Sequence, residues 1–200
     1  MTKKGVYLEI SCELSKQKQL VFGLLAAERF VNCYKIFNKK EDFGNIIYML
    51  ESLRIIEDAT LIGKMDSELV EKYIKQVDEN TPDTDDFGSI GGSLALNVGV
   101  IIYETLNMIG HFESRRLSDI STLCTDSIDF LILEIEDYDQ MDFEKIGSHK
   151  LMREEVQLQL GIIKYLEKIS SVDADDIEAL RLMQKEREFD KLNLEEILYS

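Results

Sequence analysis

The chain of 200 residues contains no tryptophan and a single proline, Pro82. Proline breaks helix interiors, so one proline leaves long stretches on either side free to be helical. Cysteine is scarce as well. Cys12, Cys33 and Cys124 are odd in number and show no Cys-x-x-Cys spacing, which excludes a disulfide framework and a cysteine-rich zinc site and predicts a reducing, cytoplasmic setting. Cys33 and Cys124 lie among apolar neighbours and read as small core residues. Two histidines, His111 and His149, are too few for a typical catalytic zinc site. No long hydrophobic run exists either. The longest uncharged run, the 17 residues Phe87 to Tyr103, holds four glycines, two serines and Asn97, so it is short and polar for a membrane span. Glu9 and Glu13 interrupt the apolar segment at the start of the chain, and no signal peptide is read there.

Basic charge is the largest deficit. There are 23 Lys and Arg against 39 Asp and Glu, for a net charge of −16. Residues 1–40 hold eight basic and three acidic side chains, a net of +5, which leaves 15 basic against 36 acidic, a net of −21, for residues 41–200. Nucleic acids and anionic membranes are recognised by Lys and Arg that displace counterions, so neither is an expected partner. Solubility, cations or a basic protein fit that balance.

Apolar residues recur at helical spacing through most of the chain. The pattern predicts an all-α fold: a single-domain bundle of seven to eight helices, with helix above 65% of the chain and residues 1–14 as a loosely attached arm or short helix. Lys16 to Phe37 is the first helix, with Leu20, Leu24, Ala27, Phe30, Val31, Tyr34 and Phe37 on its inner stripe. Ile46 to Ile62 is the second, with Ile46, Leu50, Leu53 and Ile56 inward and Gly63 as its stop. Asp66 caps a third, through about Asp78, with Leu69, Tyr73 and Ile74 or Val77 inward. Ser93 to Ile109 is apolar nearly all round and is expected at the centre of the bundle. Arg116 to Asp137 follows, lined by Leu117, Ile120, Leu123, Ile128, Leu131 and Ile135. Ser148 is expected to cap Lys150 to Ile169, lined by Val156, Leu160, Ile163 and Leu166. Asp173 and Asn193 start the last two helical pieces.

Several constellations invite a chemical reading. Pro82-Asp83-Thr84-Asp85-Asp86-Phe87-Gly88 has calcium-loop composition, but counting from Asp83 places Phe87 fifth and Leu94 twelfth, where an EF-hand needs oxygen ligands. Asp83, Asp85, Asp86 and Phe87 therefore read as a turn and helix cap that offers a partner-binding loop. Gly88-Ser89-Ile90-Gly91-Gly92 lacks the lysine of a phosphate loop, and no Glu-x-x-His of a bundle metal site occurs. Glu28 and Arg29 sit beside the inner stripe of the first helix, and Glu104 of the central helix is the expected partner of Arg29 in a structural ion pair. Glu134, Glu136, Asp137, Asp139, Asp142 and Glu144 form an acidic run, read as a solvated connection or as a surface for a basic partner. No catalytic residue, metal ligand or cofactor motif is assigned.

Phe22, Leu25-Ala26-Ala27-Glu28-Arg29, Tyr34, the Asp85-Asp86-Phe87 turn and Ala95 together resemble the bacterial YjaG-type proteins, a domain-of-unknown-function family. The resemblance spans Phe22 to Met108 and extends more thinly to Leu166. It implies an all-helical cytosolic protein of similar length and transfers no activity. The basic first 40 residues and the tail after Lys145 depart from that pattern. The expected function is a non-catalytic interaction module with an acidic face, as a homodimer or bound to a basic protein. The alternatives are a metal-assisted enzyme using Glu104 with Asp85 and Asp86, and an immunity-type inhibitor of a basic toxin.

Overall fold

A computed structural model describes residues 14–111, 113, 115–136 and 143–199, with Phe143 described for its backbone alone. Among the described residues there are nine α-helices, no strand, and a helical share of 81%. They are α1 (Lys16–Glu41), α2 (Ile46–Ile62), α3 (Ser67–Asn80), α4 (Ile90–Gly110), α5 (Arg116–Glu136), α6 (Phe143–Ser148), α7 (Lys150–Lys168), α8 (Ala174–Gln184) and α9 (Leu194–Tyr199), with a 3-10 turn at Phe189–Lys191.

Local chemistry sets most boundaries. Asp42 and Gly44 take left-handed backbone, at φ 51° and 75°, and stop α1. Asn45 then caps α2 by accepting a bond from the Ile47 N–H at 3.0 Å, and Gly63, at φ 78°, closes it by donating to the Ala59 carbonyl. Asp66 accepts from the Glu68 N–H to start α3, and Asp173 and Asp176 form a reciprocal capping box on α8.

Two starts differ from expectation. α4 begins at Ile90, three residues before the expected Ser93, because Ser89, and not an aspartate of the preceding loop, caps it, accepting from the Gly92 N–H at 3.1 Å. The glycines that read as a break are its first turn. A Cβ on Gly92 would strike the Phe87 carbonyl, so glycine is what lets the loop close onto the helix. α7 is capped by His149, whose Nδ1 accepts from the Leu151 N–H, while the Ser148 hydroxyl bonds back to the Lys145 carbonyl. Part of the expected acidic connection is helical, as α6; Asp137, Asp139 and Asp142 lie outside the described residues.

α4 occupies the centre, packed by α1, α2, α3 and α5, and α7 covers α5. It is the one helix among the described residues with the length and apolarity of a membrane span, and most of it is buried by its neighbours. Cys33 and Cys124 are free and buried, as expected of core residues. The inner face of α2 is built from Met49, Leu53 and Ile56, and Leu50, expected inside, is 44% exposed. Leu69, Ile135 and Leu160 are likewise outside their expected places, at 36%, 39% and 36% exposure. These helices carry apolar residues on more than one side, and periodicity alone does not choose between them.

Candidate functional site

The expected partner loop is a closed turn. The Asp83 carboxylate accepts from the Asp85 N–H at 3.0 Å, and the Asp83 carbonyl accepts from the Asp86 and Phe87 N–H groups. Phe87 turns inward. Its ring lies 5.1 Å from Phe37, edge-on, and 4.9 Å from Phe43, so it anchors the loop to α1 instead of offering a free contact. Asp83, Asp85 and Asp86 remain exposed, and among the described residues the carboxylates of Asp85 and Asp86 make no hydrogen bond or ion pair.

The expected ion pair between Arg29 and Glu104 is not formed. Glu104 is engaged by Arg116, which follows α4 closely enough in the chain to reach it. Arg29 reaches α7 instead, where its Nε lies 2.9 Å from Glu155 Oε2, both side chains almost wholly buried. The contact is an ion pair and not an aligned hydrogen bond, and Arg29 Nη1 has no hydrogen-bond partner among the described residues. The guanidinium also stacks 4.9 Å from the Phe189 ring. Glu155 in turn accepts from Gln159 Nε2 at 2.9 Å, and Gln159 accepts from the Ser121 hydroxyl, which carries the polar chain into α5.

Glu28, the neighbour of Arg29, faces a different guanidinium. Arg181 of α8 donates from Nε and Nη2 to Glu28, at 2.6–3.2 Å, and from Nη1 and Nη2 to Glu57 of α2, at 3.0 and 2.7 Å. One fork thus ties α1, α2 and α8, and those hydrogen bonds hold the Arg181 guanidinium even more firmly charged than usual. Glu57, Glu155, Gln159 and Arg181 were not singled out from the sequence. A signal existed for two of them: Glu155 and Gln159 fall at the inward spacing of Leu151, Met152, Leu158 and Ile162.

Between α1 and α8 a cleft of about 500 Å3 is lined by Glu28, Arg29, Glu178, Arg181, Lys185 and Asp190 among others. Its two arginines are held by carboxylates and are permanent cations, which donate but cannot exchange protons. The nearby Cys124 thiol is pushed well above its ordinary value, first by burial and then by the Glu155 charge, so it supplies no thiolate. Among the described residues, no three His, Cys, Asp or Glu side chains group as metal ligands. Glu104 and the Asp85–Asp86 loop lie toward opposite ends of α4. Residues 90 to 104 rise about 21 Å along its axis, at 1.5 Å per residue, so the fold does not assemble the metal site those three residues would need. As a chemical arrangement, the cleft is a joint between helices.

A family profile described as Protein of unknown function (DUF416) matches residues 9–194. Among solved structures, a DUF416 family protein from Shewanella baltica OS155 superposes with a TM-score of 0.76 at 22% identity, over 86% of this chain and 89% of that one. No curated protein matches. At that identity the structural likeness speaks for the fold.

Proposed function

We propose that this chain, which belongs to the DUF416 family of proteins of unknown function, is a non-catalytic interaction module that presents an acidic face to a basic protein partner in the cytoplasm. The observation that carries the reading is the surface of α3 and the loop after it. Glu68, Glu71, Asp78, Glu79, Asp83, Asp85 and Asp86 are all exposed, against Lys72 and Lys75 alone. Lys75 is already shared with Glu79. Such a one-signed field raises the encounter rate with a basic protein and repels nucleic acid and anionic lipid. An immunity-type inhibitor of a basic toxin would use the same face and is the more specific form of the proposal. Within the family, the markers from Phe22 to Ala95 favour a YjaG-type assignment.

The test is affinity capture with the full chain at low and at raised salt, followed by association kinetics on any partner retained. The expected result is a basic protein in fixed stoichiometry, with an on-rate that falls several-fold as salt rises and falls again in an Asp85→Asn/Asp86→Asn variant. A partner whose binding ignores both salt and that double substitution would overturn the acidic-face reading.

A further inference from the structure

We propose that the outer face of α2 is a two-fold interface through which two copies of this chain associate. Ile47, Leu50, Leu61 and Ile62 are 56%, 44%, 40% and 69% exposed. Positions 47, 50, 54, 58 and 61 follow at three- and four-residue steps, which places them on one side of the helix. Four residues of α2 carry charge. Glu51 accepts a hydrogen bond from the Tyr73 hydroxyl, and Glu57 is held by Arg181. Arg54 and Asp58 remain, one turn apart on the outer stripe, both exposed and, among the described residues, engaged in no hydrogen bond or ion pair.

A second copy is the occupant these features fit. In a two-fold interface, a residue that meets a second residue of the partner is met by that same residue in return. Antiparallel α2 helices crossing at the level of residue 56 set Arg54 against the partner's Asp58, and Asp58 against the partner's Arg54. The same register sets Leu50 against the partner's Ile62 at both ends. Crossing half a turn earlier, at residue 54, would oppose two arginines. Past Ile62 the face runs into a groove of about 290 Å3 lined by Leu20, Ala59, Leu61 and Ile62 among others, placed to take the partner's Ile47. A purely basic or purely acidic partner would leave one of the two charges unanswered, whereas a second α2 answers both. Arg54 and Asp58 cancel each other on a chain of net charge −16, so this stretch of α2 opposes the approach of a second copy less than the acidic surface of α3 does.

Sedimentation equilibrium on the full chain tests this. The expected wild-type species at micromolar concentration has twice the 23.1 kDa chain mass. Arg54→Asp and Asp58→Arg each place like charges opposite at two symmetric points and should each raise the dissociation constant by about tenfold or more. An equimolar mixture of the two variants should re-form a heterodimer, because each chain then carries one sign at both positions. Matching thermal melts of the variants, followed by circular dichroism, would show that folding is intact. A wild-type monomer throughout, a dimer indifferent to both reversals, or variants that dissociate but fail to re-associate when mixed would each overturn the interface.

Discussion

Arg29 of α1 and Glu155 of α7 face each other at 2.9 Å, with side chains only 4% and 2% exposed. Desolvating two charges is costly, and the attraction between them offsets that cost only while both are present. Arg29→Ala or Glu155→Ala should each cost about 3–5 kcal/mol. For a chain of this size that is a melting-temperature loss on the order of 10 °C. The double replacement Arg29→Met/Glu155→Leu should recover most of it, because it leaves no charge stranded. Calorimetric melts of the four proteins check this, and a single variant that melts with wild type would show the pair to be inert.

Arg181 works at a wetter site. Its side chain is 25% exposed, and those of Glu28 and Glu57 are 24% and 30%, so solvent screens part of the attraction. Arg181→Ala should cost roughly 1–2 kcal/mol in denaturant titration, less than loss of Arg29. Arg181→Lys keeps the charge but cannot address two carboxylates with a planar fork, so it should restore only part of the loss. Full restoration by lysine would show that charge alone holds the three helices.

Why the fold was legible and the site was not follows from the range of the forces. α2 was read to the residue because Asn45 and Gly63 act within one turn of its ends. α4 starts three residues before its apolar pattern suggests, because Gly91 and Gly92 have the composition of a break while Tyr199 and Phe87 lie against them. Local pattern also left the inner side of α2 open between Met49 and Leu50, since both are apolar and adjacent. Glu28 and Arg29 were recognised as ion-pairing residues, yet their partners, Arg181 and Glu155, sit far along the chain. Only tertiary packing brings those partners to α1. Asp85 and Asp86 are exposed, while Phe87 is taken up by the contact with Phe37 and Phe43, which no spacing reveals.

The thiols offer a direct probe of the core. Burial pushes Cys33 up to about 12, against a smaller opposing effect from its own backbone, and pushes Cys124 up as well. At pH 8 only about one part in ten thousand of Cys33 is thiolate, and the thiolate is the reactive form. A Cys12→Ser protein should therefore show no fast-reacting thiol with a disulfide reagent at pH 8 and two after denaturation. Rapid labelling of either cysteine in the native state would mean that α1 or α5 opens readily.

Gly23 sets how closely α1 approaches α4. A Cβ at that position would collide with the Thr105 side chain, whose hydroxyl is already committed to the Ile101 carbonyl. Thr105 is fully buried in a close-packed interior. Gly23→Ala should therefore cost about 1–3 kcal/mol by overpacking, against the usual gain from replacing a helical glycine. Gly110→Ala, at the end of α4 where a Cβ meets open space, should be neutral or stabilising by up to about 1 kcal/mol. The combination Gly23→Ala/Thr105→Ala removes the two side-chain atoms nearest the new methyl and should regain most of the loss in urea titrations. If Gly23→Ala proved stabilising on its own, α1 and α4 would have to pack less closely than they do here, and the central contact of the bundle would need to be redrawn.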